Sequence, residues 1–566
     1  MAGLLEQIDV AISSLLTGWN MYTTLIVSGI IGYLFWIVYD SADPDTHPLL
    51  LARQAQASYV RQPGESAIFR SPETPHGYPL RTGLAVRPAG APMYSAGKDG
   101  DLRDVWRRVM GEIPLEKGAK SSGTANIMTV FGKEGVTEHK VEDITKEIAI
   151  IGKHLQDRSA KKVAVYLPNS LEFLAVLFAG AFYDFTPILI PYNQPQQTLV
   201  ELLVQTGADT LVAEAGSFSL ADISQGSSGL RSIIWTVEKT SRHMDWSEVP
   251  EGIGGKMDIT VWHELVQEQK IAAASLPATS GKPPGVVFLW QEAVGKPAEV
   301  VEFTQQNLTS AIGALITSLP AAHRLNAEDT FLPADAFTHS YSLCWTLAAL
   351  FSHATVIIQS VAGPGVDLTL ATRSIAPTVT VVSAETAAKL HSATKSSVTS
   401  GAHKLAHYFE TRMLAAGRLP TENILTKLNA PMRAVIGTTP GKLRLLLVSE
   451  RQGLNTPPLS TEDLSDLRIY TKARVVYALT TAKVAGAVAQ TNIYDYRRGD
   501  MPSNKHSHFG VPLSCVEIKL KDTPQHKTTD DQSVGELVVT GSSVAGGQVE
   551  MGVNASIRED HTLAYV

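Results

Sequence analysis

The sequence is poor in cysteine. Cys344 and Cys515 are the only two among 566 residues. Two cysteines cannot form a disulfide framework or supply the ligands of a cysteine-based zinc site. This composition fits a protein whose main domain faces a reducing compartment.

An excess of basic residues is also lacking. The formal net charge is −7, and no basic stripe with interleaved aromatic residues occurs, so no nucleic acid partner is expected. The chain is 44% hydrophobic, which excludes a disordered protein. Its length allows two or more domains or one large domain with several lobes.

Charge is absent between Met21 and Tyr39, a run of 19 residues. As a helix this run would cross a hydrocarbon core of about 30 Å. The preceding residues include Glu6 and Asp9 but no Lys or Arg, which is the reverse of a signal peptide. Aromatic residues lie near both ends of the run, as in an interfacial belt: Trp19, Tyr22, Trp36 and Tyr39. The pattern predicts a transmembrane anchor over residues 21–39.

The flanks of this run predict its orientation. The first basic residue is Arg53, so the positive-inside tendency places the carboxyl-terminal side in the cytosol. A single-pass membrane protein of the endoplasmic reticulum is expected, with the mitochondrial outer membrane and the peroxisomal membrane as alternatives. Within residues 1–20, apolar residues recur at helical spacing, which predicts an interfacial helix or a continuation of the anchor.

The remaining chain divides into three parts. Residues 40–120 are rich in Pro, Gly and Arg and are predicted to be an extended connector. Residues 121–508 alternate strand and helix patterns with short connections, which indicates parallel sheets covered on both faces. Residues 509–566 alternate polar and apolar positions between turns, as in an all-β unit. The fold class is therefore α/β.

Residues 286–308, VVFLWQEAVGKPAEVVEFTQQNL, have the layout of a phosphate-binding loop: a strand, a turn, then a segment leading to a helix near Asn307. Such loops need free backbone N–H groups, small residues, hydroxyls and a basic side chain. Only Gly295 and Lys296 meet these needs. Glu292 and Glu299 oppose phosphate, since like charges about 4 Å apart cost roughly 4 kcal/mol at an intermediate dielectric.

This stretch resembles the adenylate-forming family that includes the acyl-CoA synthetases, whose signature reads Y-T-S-G-T-T-G-x-P-K-G-V and then L-T-H-x-N-L. Residues 291–295 stand at its S-G-T-T-G. The resemblance covers roughly residues 100–566, with LPNSLEF (residues 167–173) at a family scaffold motif. It implies an acyl-CoA synthetase-like large amino-terminal domain, made of two βαβ subdomains and a small β-barrel, preceded here by the transmembrane helix.

Other family motifs place further residues in a nucleotide pocket. His339 stands at the histidine of P-x-F-H-x-x-G, and Tyr477 and Thr480 stand at two positions of Y-G-x-T-E. The resemblance implies that these three residues, together with Gly295 and Lys296, form a vestigial nucleotide site.

At several positions the chain departs from the family. Glu450-Arg451-Gln452 replace small residues beside the adenine, and Thr481 replaces a glutamate that helps to hold Mg²⁺. Val553 stands where an aspartate grips the ribose. The sequence stops at Val566, where the family continues into a mobile domain with the adenylation lysine, so that domain is expected to be missing. A second segment, TSGKPPG (residues 279–285), resembles a shortened phosphate loop but precedes its strand instead of following it.

These departures favour a membrane-anchored pseudoenzyme that acts as a binding or scaffolding subunit with a protein partner. It would have no catalytic residue, metal or cofactor. One alternative is an active ligase that joins a fatty acid to CoA with ATP and Mg²⁺ as cofactors. Another is a sensor of acyl lipid, because an apolar pocket needs no catalytic residues.

Overall fold

The computed structural model covers the whole chain. It describes these residues, with the main chain alone for 35–40: 10, 13–14, 17–40, 43–86, 97–113, 125–130, 135–237, 257–268, 276–278, 281–398, 400–420, 427, 434–439, 441–453, 458–497 and 506–566. Several predictions concern residues outside these ranges: most of the interfacial segment in residues 1–20, Thr279 and Ser280 of the second glycine–lysine segment, and the side chains of Trp36 and Tyr39.

The strands, in chain order, are β1 Gln56–Ala57, β2 Phe69–Arg70, β3 Ile127–Val130, β4 Val136–His139, β5 Lys162–Tyr166, β6 Thr186–Leu189, β7 Thr210–Glu214, β8 Ser232–Thr236, β9 Asp258–Val261, β10 Val286–Trp290, β11 Glu299–Phe303, β12 Thr330–Pro333, β13 Thr355–Gln359, β14 Val379–Ser383, β15 Leu445–Arg451, β16 Arg474–Thr481, β17 Val484–Gln490, β18 Val511–Pro512, β19 Val516–Lys521, β20 Ser533–Gly541, β21 Gln548–Ile557 and β22 Leu563–Tyr565.

The α-helices are α1 Met21–Asp40, α2 Pro48–Ala52, α3 Leu102–Val109, α4 Val141–Asp157, α5 Leu171–Tyr183, α6 Gln196–Thr206, α7 Leu220–Gly226, α8 Trp262–Glu268, α9 Gln305–Ser318, α10 Ser340–Phe351, α11 Leu368–Ala371, α12 Ala384–Ser397, α13 Gly401–Ala415 and α14 Thr461–Thr471.

Two large sheets carry the α/β part, as the alternating pattern predicts. A seven-stranded sheet has the order β11-β10-β6-β5-β7-β8-β9, and all its pairs are parallel except β10–β11. A nine-stranded sheet has the order β18-β17-β16-β15-β14-β12-β13-β3-β4, parallel in its middle and antiparallel at both ends. Parallel sheets need cover on both faces. Apolar helices such as α5 and α10, whose residues are almost all buried, supply much of it.

A third, antiparallel sheet differs from the prediction in its membership. Its order is β1-β2-β19-β20-β21-β22. Phe69 and Arg70 of β2 pair with Ile518 and Glu517 of β19, and Arg70 also forms a 2.6 Å ion pair with Glu517. The segment predicted as a connector therefore supplies the edge strand β1 and its neighbour β2 to the β unit.

The helix after the candidate phosphate loop begins slightly earlier than predicted. α9 starts at Gln305, because the Thr304 hydroxyl caps the N–H of Asn307 and the Asn307 side chain accepts from the Thr304 N–H. This reciprocal pair is a capping box. Asn307, predicted to open the helix, instead completes its cap.

α1 exposes apolar side chains around its described part, including Leu25, Ile26 and Ile30. Among the residues whose side chains are described, no helix is long and apolar enough to cross a membrane. The structure therefore gives no support to the anchor predicted over residues 21–39.

Candidate functional site

A cleft of about 450 Å³ opens where the candidate phosphate loop faces the end of β16 and the start of β21. Its lining comes from four stretches far apart in the chain: Trp290, Glu292, Lys296, Pro297 and Glu299; Gln452 and Gly453; Thr481, Ala482 and Lys483; Val549, Glu550 and Met551. The cleft thus combines three of the motifs that the sequence singled out.

The candidate phosphate loop is the turn of a β-hairpin, since Trp290 pairs directly with Glu299. The Gly295 N–H donates to the Gln194 side-chain oxygen at 3.2 Å, and the Gln291 amide donates to the Lys296 carbonyl at 2.8 Å. Gly295 has a φ of +79°, a conformation that favours glycine. The Gly295 N–H is thus bonded within the protein instead of facing the cleft as a free donor.

Charges at the cleft mouth are of both signs. Glu299 and Lys483 form an ion pair of 3.0 Å across it, with each side chain about half exposed. Glu292 and Lys296 are exposed on the turn. The mouth therefore offers carboxylates beside its lysines, whereas a triphosphate needs donors and cations.

Beneath the lining lies a buried set of side chains, here called the floor network: Asp335, His339, Glu450, Arg451, Tyr477 and Thr480. An Arg451 nitrogen donates to both Asp335 oxygens at 2.7 and 2.8 Å. His339 lies between Asp335, at 3.3 Å, and the Thr480 hydroxyl, at 3.2 Å. The His339 ring is also 5.6 Å from the Trp290 ring, which joins the network to the cleft lining.

The pKa values in this network follow from burial and from the Arg451 charge. Burial raises the pKa of Asp335, but the Arg451 charge and the His339 hydrogen bond together hold it well below its usual range. Burial, and next the Arg451 charge, lower the pKa of His339 to about 4. Near neutral pH the network therefore contains an ionised Asp335, a cationic Arg451 and a neutral His339.

Glu450 and Tyr477 form the second part of the network. The Tyr477 hydroxyl donates to a Glu450 carboxyl oxygen at 2.5 Å and accepts from the Leu459 N–H at 3.0 Å. Burial is the main cause that raises the pKa of Glu450 to about 7. The Thr480 hydroxyl donates to the Glu450 carbonyl at 2.8 Å. β15 and β16 are neighbours in the nine-stranded sheet, so their ends bring these residues together.

Two further positions of interest are Thr481, in the cleft lining, and Val553. Thr481 is buried, and within the described part of the chain its hydroxyl has no hydrogen-bond partner. Val553 lies in β21, two residues beyond Met551, whose carbonyl accepts from the Gln452 side chain at 2.6 Å. Neither Thr481 nor Val553 supplies a carboxylate.

The structure thus groups the predicted site residues in two places. Lys296 lies in the wall of the cleft and Gly295 in the turn beside it, whereas His339, Tyr477 and Thr480 belong to the floor network. Sequence reasoning missed Asp335 as the residue that bonds both Arg451 and His339. Its signal was the four-residue spacing to His339, together with an arginine where a small residue was expected.

Comparisons with known proteins bear on the family and the fold. Residues 293–548 match the model of the AMP-binding enzyme family. The chain is 22% identical over 528 residues to the putative uncharacterized protein YHR045W of Saccharomyces cerevisiae. The matched region covers 88% of this chain and 86% of the relative.

Solved structures show the same fold. VinN in complex with L-aspartate is 13% identical with a TM-score of 0.56, over 86% of this chain and 99% of that one. The anthranilate CoA ligase AuaEII with anthranoyl-AMP is 12% identical with a TM-score of 0.55, over 84% of this chain and 78% of that one. A benzoate CoA ligase from Burkholderia xenovorans LB400 is 13% identical with a TM-score of 0.54, over 82% and 79%. The α/β acyl-CoA synthetase-like fold is therefore confirmed.

Proposed function

Because residues 293–548 match the AMP-binding enzyme family and the fold is acyl-CoA synthetase-like, we propose that the chain is an acyl-CoA synthetase-like protein without adenylating activity. It serves as a binding or scaffolding subunit, and its nucleotide cleft is vestigial. The proposal makes ATP and Mg²⁺ unnecessary for what the protein does.

The floor network is the observation that carries this proposal. Arg451 stands where relatives are expected to keep a small residue beside the adenine, and its guanidinium is held by two bonds to Asp335. A buried ion pair of this kind is difficult to open, because removing one partner leaves the other charge unpaired. If the adenine lies beside Arg451, as the family resemblance implies, a nucleotide would have to displace this pair.

The phosphate side of the cleft supports the same conclusion. The Gly295 N–H is bonded to Gln194, and Glu292 and Glu299 carry negative charge near the place of the phosphates. Loss of one donor to a transition state typically costs 10²- to 10³-fold in rate. With donors, metal-binding acid and ribose-binding acid all replaced, binding itself should be lost.

Calorimetry of the purified full chain with Mg-ATP tests the proposal. We expect no binding heat and no rise in melting temperature at millimolar nucleotide. By contrast, a ligand at 100 times its Kd would add about 2.7 kcal/mol of stability. Saturable binding, or pyrophosphate release that depends on a fatty acid, would contradict the proposal and establish the active ligase instead.

Variants separate the two sides of the cleft. Glu292→Gly with Glu299→Gly removes the opposing charges on the loop but leaves Arg451 and Asp335 paired. We therefore expect this double variant to bind ATP no better than the original chain. If it gains saturable binding, the floor network is not the obstacle.

We also propose that α1 holds the protein at a membrane with the bulk of the chain in the cytosol. This is supported by the uncharged run of residues 21–39 and by the exposed apolar side chains of α1. In intact membrane vesicles, protease added outside should digest the large domain without detergent. Purification of the native complex would identify the expected protein partner.

A further inference from the structure

A second set of exposed apolar side chains, none of which lines the cleft, lies in the segment before α3. We call it the lead-in surface: Leu49, Leu50, Tyr59, Val60 and Tyr78. Tyr59 is fully exposed, and the other four are 65–75% exposed. Isolated exposed apolar residues are ordinary, but a concentration of them in one short segment indicates an interaction site.

The main chain that carries these side chains is firmly bonded to the β unit. The Gln54 N–H donates to the Asp560 carbonyl at 2.8 Å, and the His561 ring nitrogen lies 2.8 Å from the Ala55 carbonyl. In α2, Leu51 is buried while its neighbours Leu49 and Leu50 point outward. The apolar groups are thus presented on an ordered backbone.

One contact brings the two ends of the segment together. A His76 ring nitrogen lies 3.2 Å from the Gln56 carbonyl and 3.1 Å from the Ile68 carbonyl. Tyr78, two residues later, gives its carbonyl to Arg70 of β2 at 2.9 Å. Tyr78 therefore lies at the same edge of the sheet as β1, which Tyr59 and Val60 follow directly.

The charge of this segment differs from that of the whole chain. Residues 46–81 contain four arginines and two glutamates, although the chain carries a net charge of −7 and the residues just before them include Asp40, Asp43 and Asp45. Arg53 and Arg61 are exposed and adjacent in sequence to the apolar positions. Leucine and tyrosine beside arginine are typical of surfaces that lie in the headgroup region of a membrane.

We propose that the lead-in surface rests on a lipid bilayer that contains anionic lipids, and so seats the large domain against the membrane. Leu49, Leu50 and Val60 would enter the boundary of the acyl chains, and Arg53 and Arg61 would meet headgroup phosphates. A bilayer fits better than a protein groove because the surface follows α1, which is exposed and apolar as well. The inference rests on the proposed attachment of α1 to a membrane, but not on whether the cleft binds nucleotide.

Site-specific fluorescence on the full chain tests the proposal. Cys344 and Cys515 are buried, so an introduced cysteine can be labelled selectively. Tyr59→Cys carrying an environment-sensitive dye is mixed with vesicles of phosphatidylcholine and phosphatidylserine that contain spin-labelled lipid. We expect a shift of emission to shorter wavelength and strong quenching. Val204→Cys is the matched control. Val204 is exposed on α6, which connects two strands of the seven-stranded sheet, and a dye there should show neither the emission shift nor the quenching.

Charge reversal tests the arginines. Each arginine near an anionic surface contributes about fivefold in occupancy, so Arg53→Glu with Arg61→Glu should remove most of the quenching at position 59. Arg231→Glu, also exposed but distant in the sequence, should leave it unchanged.

Two results would overturn the proposal. In the first, the dye at position 59 shows neither the emission shift nor the quenching, although the chain floats with the vesicles. Alternatively, the emission could shift without vesicles and grow with protein concentration, which would make this a surface between two copies of the chain.

Discussion

The turn after β10 and the floor network are neighbours in one cleft, but they differ in how their residues are held. The turn is exposed, and its charged side chains, such as Glu292 and Lys296, face solvent. The floor network is buried, and Asp335 and Arg451 are bonded to each other. The turn is held by the pairing of its two hairpin strands. The floor network is held by hydrogen bonds between its own side chains.

This difference gives the proposed loss of nucleotide binding two physical forms. In the turn, charge has changed, and exchange of an exposed side chain costs the fold little. In the floor, the fold itself now depends on the replacement residues, because a buried charge must keep its partner. Changes in the two regions should therefore affect stability very differently.

The largest effect is expected from Asp335→Ala. It leaves the Arg451 guanidinium without the carboxylate that both bonds require, and breaking a buried pair in this way costs about 3–5 kcal/mol. Urea unfolding should show the loss. Asp335→Ala with Arg451→Met, which removes both charges, should recover much of it. If the single variant is as stable as the original chain, Arg451 is not held by this pair.

The next largest effect concerns pH and Glu450. The unfolded carboxyl releases its proton near pH 4.5, whereas burial raises the folded pKa to about 7. Between these values the folded state binds more protons, so this group makes stability fall as pH rises. The expected loss is about 3 kcal/mol across the window.

Glu450→Gln isolates this contribution. Urea midpoints measured from pH 5 to pH 8 should fall less steeply with pH in the variant than in the original chain, since glutamine does not titrate. Glu292→Gln, on the exposed turn, is the control and should keep the original slope. Parallel slopes in all three proteins would place the Glu450 pKa near that of an ordinary carboxyl.

Much of the fold could be predicted because its elements have strong periodic patterns. Helices such as α4 and α6 and the buried parallel strands carry the 3.6-residue or continuous apolar signal. β1 and β2 have two residues each, too few for any pattern, and β19, the strand to which β2 pairs, is more than 400 residues away. Their place in the β unit was therefore invisible in the sequence.

The site was predictable only in part, for a related reason. Motif positions located the turn and His339, but hydrogen bonds between Glu450 and Tyr477 depend on the register of β15 against β16. A sequence shows which residues end each strand, not which side chains then meet.

A moderate effect is expected from Gly295→Ala. The φ of +79° is costly for alanine, and the added carbon would lie 3.2 Å from a ring carbon of Pro195. The expected loss is about 1–2 kcal/mol by thermal or urea unfolding. Gly281→Ala, which meets no atom within 4 Å, is the matched control and should change stability little. Equal effects at both positions would show that the turn is not held in this conformation.

The smallest effect is expected from the ion pair between Glu299 and Lys483, and it measures how open the cleft mouth is. Both side chains are about half exposed, so water screens their 3.0 Å contact. A double-mutant cycle with Glu299→Gln and Lys483→Gln should give a coupling of about 0.5 kcal/mol or less, and less still at high salt. A coupling well above about 1 kcal/mol would mean that the mouth is closed to water, because only a desolvated pair interacts so strongly. In that case the turn would be shielded from water like the floor network. A ligand could then reach the cleft only if both regions opened.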